Sequence, residues 1–206
     1  MIYPLVTGFH WADFDFQWYI EGCRSRPGPA RTASGFHSVE TFIDQPVHPG
    51  TDNITIPAYV AGVIAGKIPP GTTPLQVADQ LEERASRVLT LIGEINQGSR
   101  YMTSAEYGAT LSDIVMMMDL GQYYAAKIRG ATELALFRQT RASKHQERAV
   151  THLHGAQQYW LRYSQRSGGQ YRNPLWTNRV GLVDWNELSA EVANDVTIAS
   201  APLSAR

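Results

Sequence analysis

Between His10 and Glu21 the run His10-Trp11-Ala12-Asp13-Phe14-Asp15-Phe16-Gln17-Trp18-Tyr19-Ile20-Glu21 gathers three carboxylates, one imidazole and five aromatic rings. Carbohydrate sites need this mixture. Aromatic rings cover the apolar C–H faces of a sugar, while carboxylates and amides take its hydroxyls. Two carboxylates on opposite sides of a glycosidic bond act as acid and as base or nucleophile, at a separation of about 5 to 9.5 Å. Asp13, Asp15 and Glu21 are the candidates for that pair, with no role assigned to any one of them. His10, Trp11 and Trp18 are the candidate substrate contacts. A helix here would put Asp15, Trp18 and Glu21 on one face and leave Asp13 as its cap. A purely structural reading, with Asp13 capping and the rings in a core, stays open beside the chemical one.

Two further segments carry polar and aromatic groups. Asp44-Gln45-Pro46-Val47-His48-Pro49-Gly50-Thr51-Asp52 is a polar loop stiffened by two prolines, and rigid loops often line sites. His48 is its candidate substrate contact. A structural hydrogen bond from His48 to Asp44 or Asp52 is the other reading. Tyr171 to Trp185 holds two tryptophans, two arginines and two asparagines, long for a connection in a bundle. Trp176 is its candidate substrate contact, set against a reading in which Trp176 and Trp185 plug one end of the fold.

Other chemistries find little footing. His145 and His152 stand two helical turns apart, His152 and His154 face away from one another, and no carboxylate completes a zinc set, so no metal is expected. Gly168-Gly169 lacks the preceding strand and the Lys-Ser/Thr pair of a phosphate cradle. No Gly-x-Ser-x-Gly elbow occurs, Cys23 has no obvious histidine partner, and Met116-Met117-Met118 reads as core filler, so no cofactor is expected. The formal net charge is −1 with both signs interleaved, which leaves no basic face for nucleic acid. No run of 18 apolar residues is present for a membrane span. The start, MIYPLVTGFHWADFDF, lacks the basic opening of a signal peptide. Nothing in the sequence fixes the compartment.

These residues need elements to hold them. Of the 206 residues, 43% are hydrophobic and 18% charged, a globular balance. Thr103 to Thr140 contains no proline and repeats apolar or small residues at Leu111, Ile114, Met118, Gly121, Ala125, Ile128, Thr132 and Ala135. Met116, Leu120, Tyr124, Leu134 and Phe137 lie off that stripe, so this helix is expected in the middle of a bundle. Gly121, Ala125 and Ala135 are the positions expected to admit a neighbouring helix closely. Three capping boxes are expected to open further helices: Thr73 with Gln76, running to about Ile95; Ser143 with Gln146, to about Arg166 before Gly168-Gly169; and Asp184 with Glu187, to about Ala199. The helix opened at Ser143 is expected to turn Val150, Leu153, Gln157, Trp160 and Leu161 inward. Ser38 is expected to cap a short helix through Ile43, and Ile56-Pro57 to start another to about Ala65. Ile2 to Val6 reads as a short strand with no sheet of its own.

The expected fold is therefore mainly α: an antiparallel bundle of about four longer helices behind a loop-rich N-terminal segment carrying a short strand. The division expected is 1–55 for that segment, a possible remnant of a preceding barrel, and 56–206 for the bundle. The runs WADFDFQWYIEGC, GFHSVETFIDQPVHPGTDNITIPAYV, TTPLQVADQL, DLGQYYAAKIRGATELALFRQT and NPLWTNRVGLVDW together resemble the C-terminal region of large bacterial glycoside-hydrolase-like proteins. Those are polysaccharide-degrading proteins with an α-glucuronidase-like barrel followed by a helical domain. The resemblance implies that Ile2–Val6 corresponds to a late barrel strand and that His10, Trp11, Asp13 and Asp15 follow it at the sugar-binding end. It implies an oligosaccharide or polysaccharide ligand, the N-terminal catalytic barrel of a parent protein as partner, and no complete active site in this chain alone. Residues 1–55 would then expose apolar surface toward the barrel. The alternative is a self-contained helical module for protein interaction, docking its partner on the face of the two longest helices.

Overall fold

The computed structural model describes residues 36–47, 50–98, 104–177 and 181–203. The strand expected at Ile2–Val6 and the helix expected from Asp13 lie outside the described residues. Among the described residues six helices follow in order: α1 Val39–Asp44, α2 Ile56–Ile64, α3 Pro74–Gly98, α4 Ala105–Thr140, α5 Ser143–Gln170 and α6 Trp185–Ser200. Between α5 and α6 runs a short antiparallel ribbon, β1 Leu175–Thr177 with β2 Gly181–Val183, in the register Trp176 opposite Leu182. The expected mainly helical bundle of four long helices is present.

Side-chain ties give the directions. Asn96 and Tyr107 meet across the open end of α3 and α4, and Glu82 meets Arg129 deeper in, so the two helices are antiparallel. Gln170 reaches Asp113 at 2.6 Å, setting the end of α5 beside the start of α4. Trp160 Nε1 donates to Ser189 Oγ at 2.9 Å and Gln146 Nε2 to the Ala199 carbonyl at 3.0 Å, so α6 returns along α5. Helix α4 is the axis. Every residue from Tyr123 to Ile128 is buried, as are Leu134 to Phe137, because α3, α5, α1 and α2 all pack around it.

An aromatic ladder crosses the core. Phe42 stacks on Tyr124 with centroids 6.3 Å apart, Tyr124 meets Tyr123 at 5.0 Å, Tyr123 meets Trp160 at 5.2 Å, and Trp160 meets Tyr163 at 5.2 Å. Trp185 Nε1 then donates to the Tyr163 hydroxyl. Rings at adjacent positions 123 and 124 point about 100° apart on a helix, so both are buried only on a helix surrounded on two sides.

At the centre lies Lys127, fully buried. Its ammonium contacts Asp195 Oδ2 of α6 at 3.0 Å, donates to the His37 carbonyl and to Tyr123 Oη at 2.9 Å, and sits 4.0 Å from the Phe36 ring centroid. Asp195 Oδ1 accepts from Val39 N–H at 2.7 Å. One ion pair thus fastens α1, α4 and α6 together. Burial pushes the Asp195 carboxyl above its ordinary value, against the pull of Lys127 and the Val39 N–H.

Several local expectations need correction. Phe36, Val39, Phe42 and Ile43 are core residues, in one cluster with Tyr124, Ile128 and Val192 of the bundle. Ser38 makes no side-chain cap, and the first N–H of α1, from Val39, is taken by Asp195 Oδ1 instead. The box at Thr73 forms fully, with Gln76 Oε1 and Thr73 Oγ1 each accepting a backbone N–H, and Ser104 caps α4. The box at Ser143 does not form. Ala142 is the N-cap residue and Gln146 is drawn away to the Ala199 and Ala201 carbonyls at the end of α6. Consequently α5 is phased on Ala149, Leu153, Ala156, Trp160 and Tyr163, leaving Val150, Gln157 and Leu161 half-buried, and it runs through Gly168-Gly169 to Gln170. Gly121 is not a close-contact position. A β-carbon there would meet nothing within 4 Å, whereas at Gly130 it would lie 2.6 Å from Leu153 Cγ. Asp184 caps α6 as expected, accepting from Asn186 and Glu187 N–H.

Candidate functional site

The segment from His10 to Glu21, with Trp11, Asp13, Asp15 and Trp18, lies outside the described residues, as does His48. Trp176 falls in β1, and its side chain also lies outside them. Of the candidate segments the structure describes residues 44–47 and 50–52 of the proline-stiffened loop, and 171–177 and 181–185 of the later connection, where Asn173 Nδ2 donates to Asp184 Oδ1 at 3.0 Å and Trp185 is buried.

Residues 50–53 are zipped to the residues just before α3. Thr72 N–H donates to the Asp52 carbonyl at 2.9 Å, Ile54 N–H donates to the Thr72 carbonyl at 3.0 Å, and Thr72 Oγ1 donates to Asp52 Oδ2 at 3.0 Å. Asn53 and Thr72 form an isolated parallel bridge. The approach requires glycine at 71, whose φ is +131° and whose β-carbon would stand 2.3 Å from the Asp52 carbonyl oxygen. On the other side α3 starts rigidly from the Thr73 box. Between loop and helix opens a cleft of about 620 Å³, into which Thr51, Asp52, Asn53, Thr72, Gln80 and Arg84 contribute. Hydroxyls, a carboxylate, two amides and a guanidinium face one concavity, a set able to donate to and accept from a polyhydroxylated ligand. Asp52 is its one carboxylate among those lining residues, so the cleft's described walls do not supply the acid/base pair that glycosidic cleavage needs. Asp44 is exposed at the end of α1 and does not join the cleft.

Several other charged groups tie helices together. Arg129 grips Glu82 through two hydrogen bonds of 3.1 and 2.8 Å and reaches Asp79, joining α3 to α4. Arg138 pairs with Glu40, holding that carboxyl below its ordinary range. His145 Nδ1 lies 2.5 Å from Glu133, and His152 is lowered by burial first and by Arg129 next. Buried Asp119 meets Arg166 at 3.3 Å, burial raising its carboxyl. Among the described residues no group of three His, Cys, Asp or Glu side chains is placed to hold a metal, and no helix is long and apolar enough to cross a membrane.

The sequence singled out Asp52 through its prolines but gave no sign of Asn53 or Gln80. Gln80 lies one turn beyond Gln76 on a polar face, and only the bridge between positions 53 and 72 brings the loop to it. No protein-family model, curated protein or solved structure matches this chain.

Proposed function

We infer that this chain is the C-terminal helical portion of a carbohydrate-active, glycoside-hydrolase-like protein. In this reading the N-terminal segment contributes sugar-facing residues, and the catalytic barrel of a parent protein completes the active site. The supporting observation is the polar cleft between residues 50–53 and α3. Its hydroxyl, amide, carboxylate and guanidinium groups suit sugar hydroxyls, and it adjoins the loop that carries His48. The Lys127–Asp195 tie supports the same reading from the other side. It anchors the chain at His37 and Val39, at the start of the described residues.

The test is a panel of neutral and acidic plant and algal oligosaccharides titrated into the purified chain, read by tryptophan fluorescence and calorimetry. Saturable binding of one oligosaccharide class is expected. Gln80→Ala and Asn53→Ala should weaken it by about tenfold each, the worth of a hydrogen bond to a bound polar group. Trp18→Ala should weaken it with little change in thermal stability. Silence across the panel from a folded, helical sample overturns the reading.

A further inference from the structure

The outer half of α3 is underused. From Ser86 to Asn96 none of its residues is buried, and Leu89, Leu91 and Ile95 are 55%, 38% and 50% exposed. Beside them on α4, Ile114 and Met117 are 41% and 64% exposed. Val88, Leu91 and Ile95 recur at the alternating three- and four-residue spacing of a helix seam. Between that seam and α4 runs an apolar groove of about 340 Å³ reaching Ile114, Met117 and Gly121. Above Gly121 there is open space for an incoming side chain. Leu89 lies off that seam, but Leu91 and Ile95 on α3 with Ile114 and Met117 on α4 make one exposed apolar face, and such a face marks an interaction surface.

The charges beside the seam say what fits it. Arg87 and Glu94 flank it on one side, both well exposed, and they approach each other only to 3.9 Å within the chain. They lie evenly about a point between Thr90 and Leu91. A two-fold axis through that point would lay α3 antiparallel on a second α3. Arg87 would then face Glu94 of the partner subunit, and the same pair would form again across the axis. An isologous contact of this kind requires that residue i meets j while j meets i. A parallel pairing would set Arg87 against arginine and Glu94 against glutamate, which is repulsive. We propose that a second copy of this chain docks on this face, α3 against α3 in antiparallel register, with the Ile114–Met117 edge of α4 widening the apolar contact.

Sedimentation velocity and light scattering of the full chain over a dilution series test this. The expected result is a reversible species of twice 22.9 kDa. Arg87→Glu alone and Glu94→Arg alone should each weaken it by about tenfold or more, since two attractions become two repulsions. Mixing those two variants should restore a dimer containing one of each, and the double swap in one chain should restore the homodimer. Both positions are exposed, so circular dichroism should be unchanged throughout. Leu91→Asp should leave a folded monomer. A monomer at every concentration overturns the proposal, as does a dimer indifferent to the charge swaps.

Discussion

A lysine with no solvent exposure is tolerated only when its charge is matched. Lys127 is matched by Asp195 at 3.0 Å, by the His37 carbonyl and Tyr123 hydroxyl, and by the rings of Phe36 and Phe42. Removing one ion leaves the other buried and uncompensated. Asp195→Ala or Lys127→Met alone should therefore cost about 3 to 5 kcal/mol in urea unfolding. The double variant Lys127→Met with Asp195→Leu should cost less than either single change, because two desolvation penalties vanish with the pair. Equal or additive losses in the double variant would contradict this account. Nothing in the sequence set Lys127 apart, since Asp119, Arg129 and Glu133 are charges of the same helix. Its partner 68 positions later had no local signal, because Asp195 lies on the last helix and meets Lys127 only once the bundle closes.

The spacing of apolar residues foretold which segments are helices and that α4 is central, because burial on several sides leaves a periodic record. It did not foretell which small residue touches which neighbour. Gly121 and Gly130 look alike in sequence and differ in the fold. At Gly130 a β-carbon would collide with Leu153 of α5, while at Gly121 it would meet nothing. Gly130→Ala should destabilise the chain by about 1 to 3 kcal/mol through overpacking. Gly121→Ala should stabilise it by about 0.5 to 1 kcal/mol, the cost of glycine in a helix being removed without a clash. Thermal unfolding of the two variants separates these outcomes, and like-signed shifts would refute the assigned contacts. Capping shows the same limit. Thr73 and Gln76 form their box because nothing competes for them, whereas the open carbonyls at the end of α6 capture Gln146. The candidate cleft was legible at Asp52 and not at Gln80 for a related reason. The wall is built by a bridge from Asn53 to Thr72, a pairing that no periodic pattern records.

Charges distributed between helices make the whole bundle sensitive to acid in two stages. His152 lies below its ordinary value of 6.5 because burial disfavours its cation and Arg129 repels it, with Arg148 adding to the repulsion and Glu133 and Glu82 opposing it. The folded chain therefore binds that proton less readily than the unfolded chain. Stability from this group is full above 6.5 and is lost as pH falls toward the lower folded value. Glu40 lies below its ordinary 4.5 because Arg138 hydrogen-bonds its carboxylate, so its contribution holds above 4.5 and is lost further down. Asp195 runs the other way: burial raises its carboxyl, so acidification favours its folded form and softens the second stage. Urea midpoints measured against pH should accordingly decline in an upper limb beginning near 6.5 and a lower limb beginning near 4.5. His152→Gln should flatten the upper limb and spare the lower, and Glu40→Gln should do the reverse. An upper limb that survives His152→Gln would contradict this assignment.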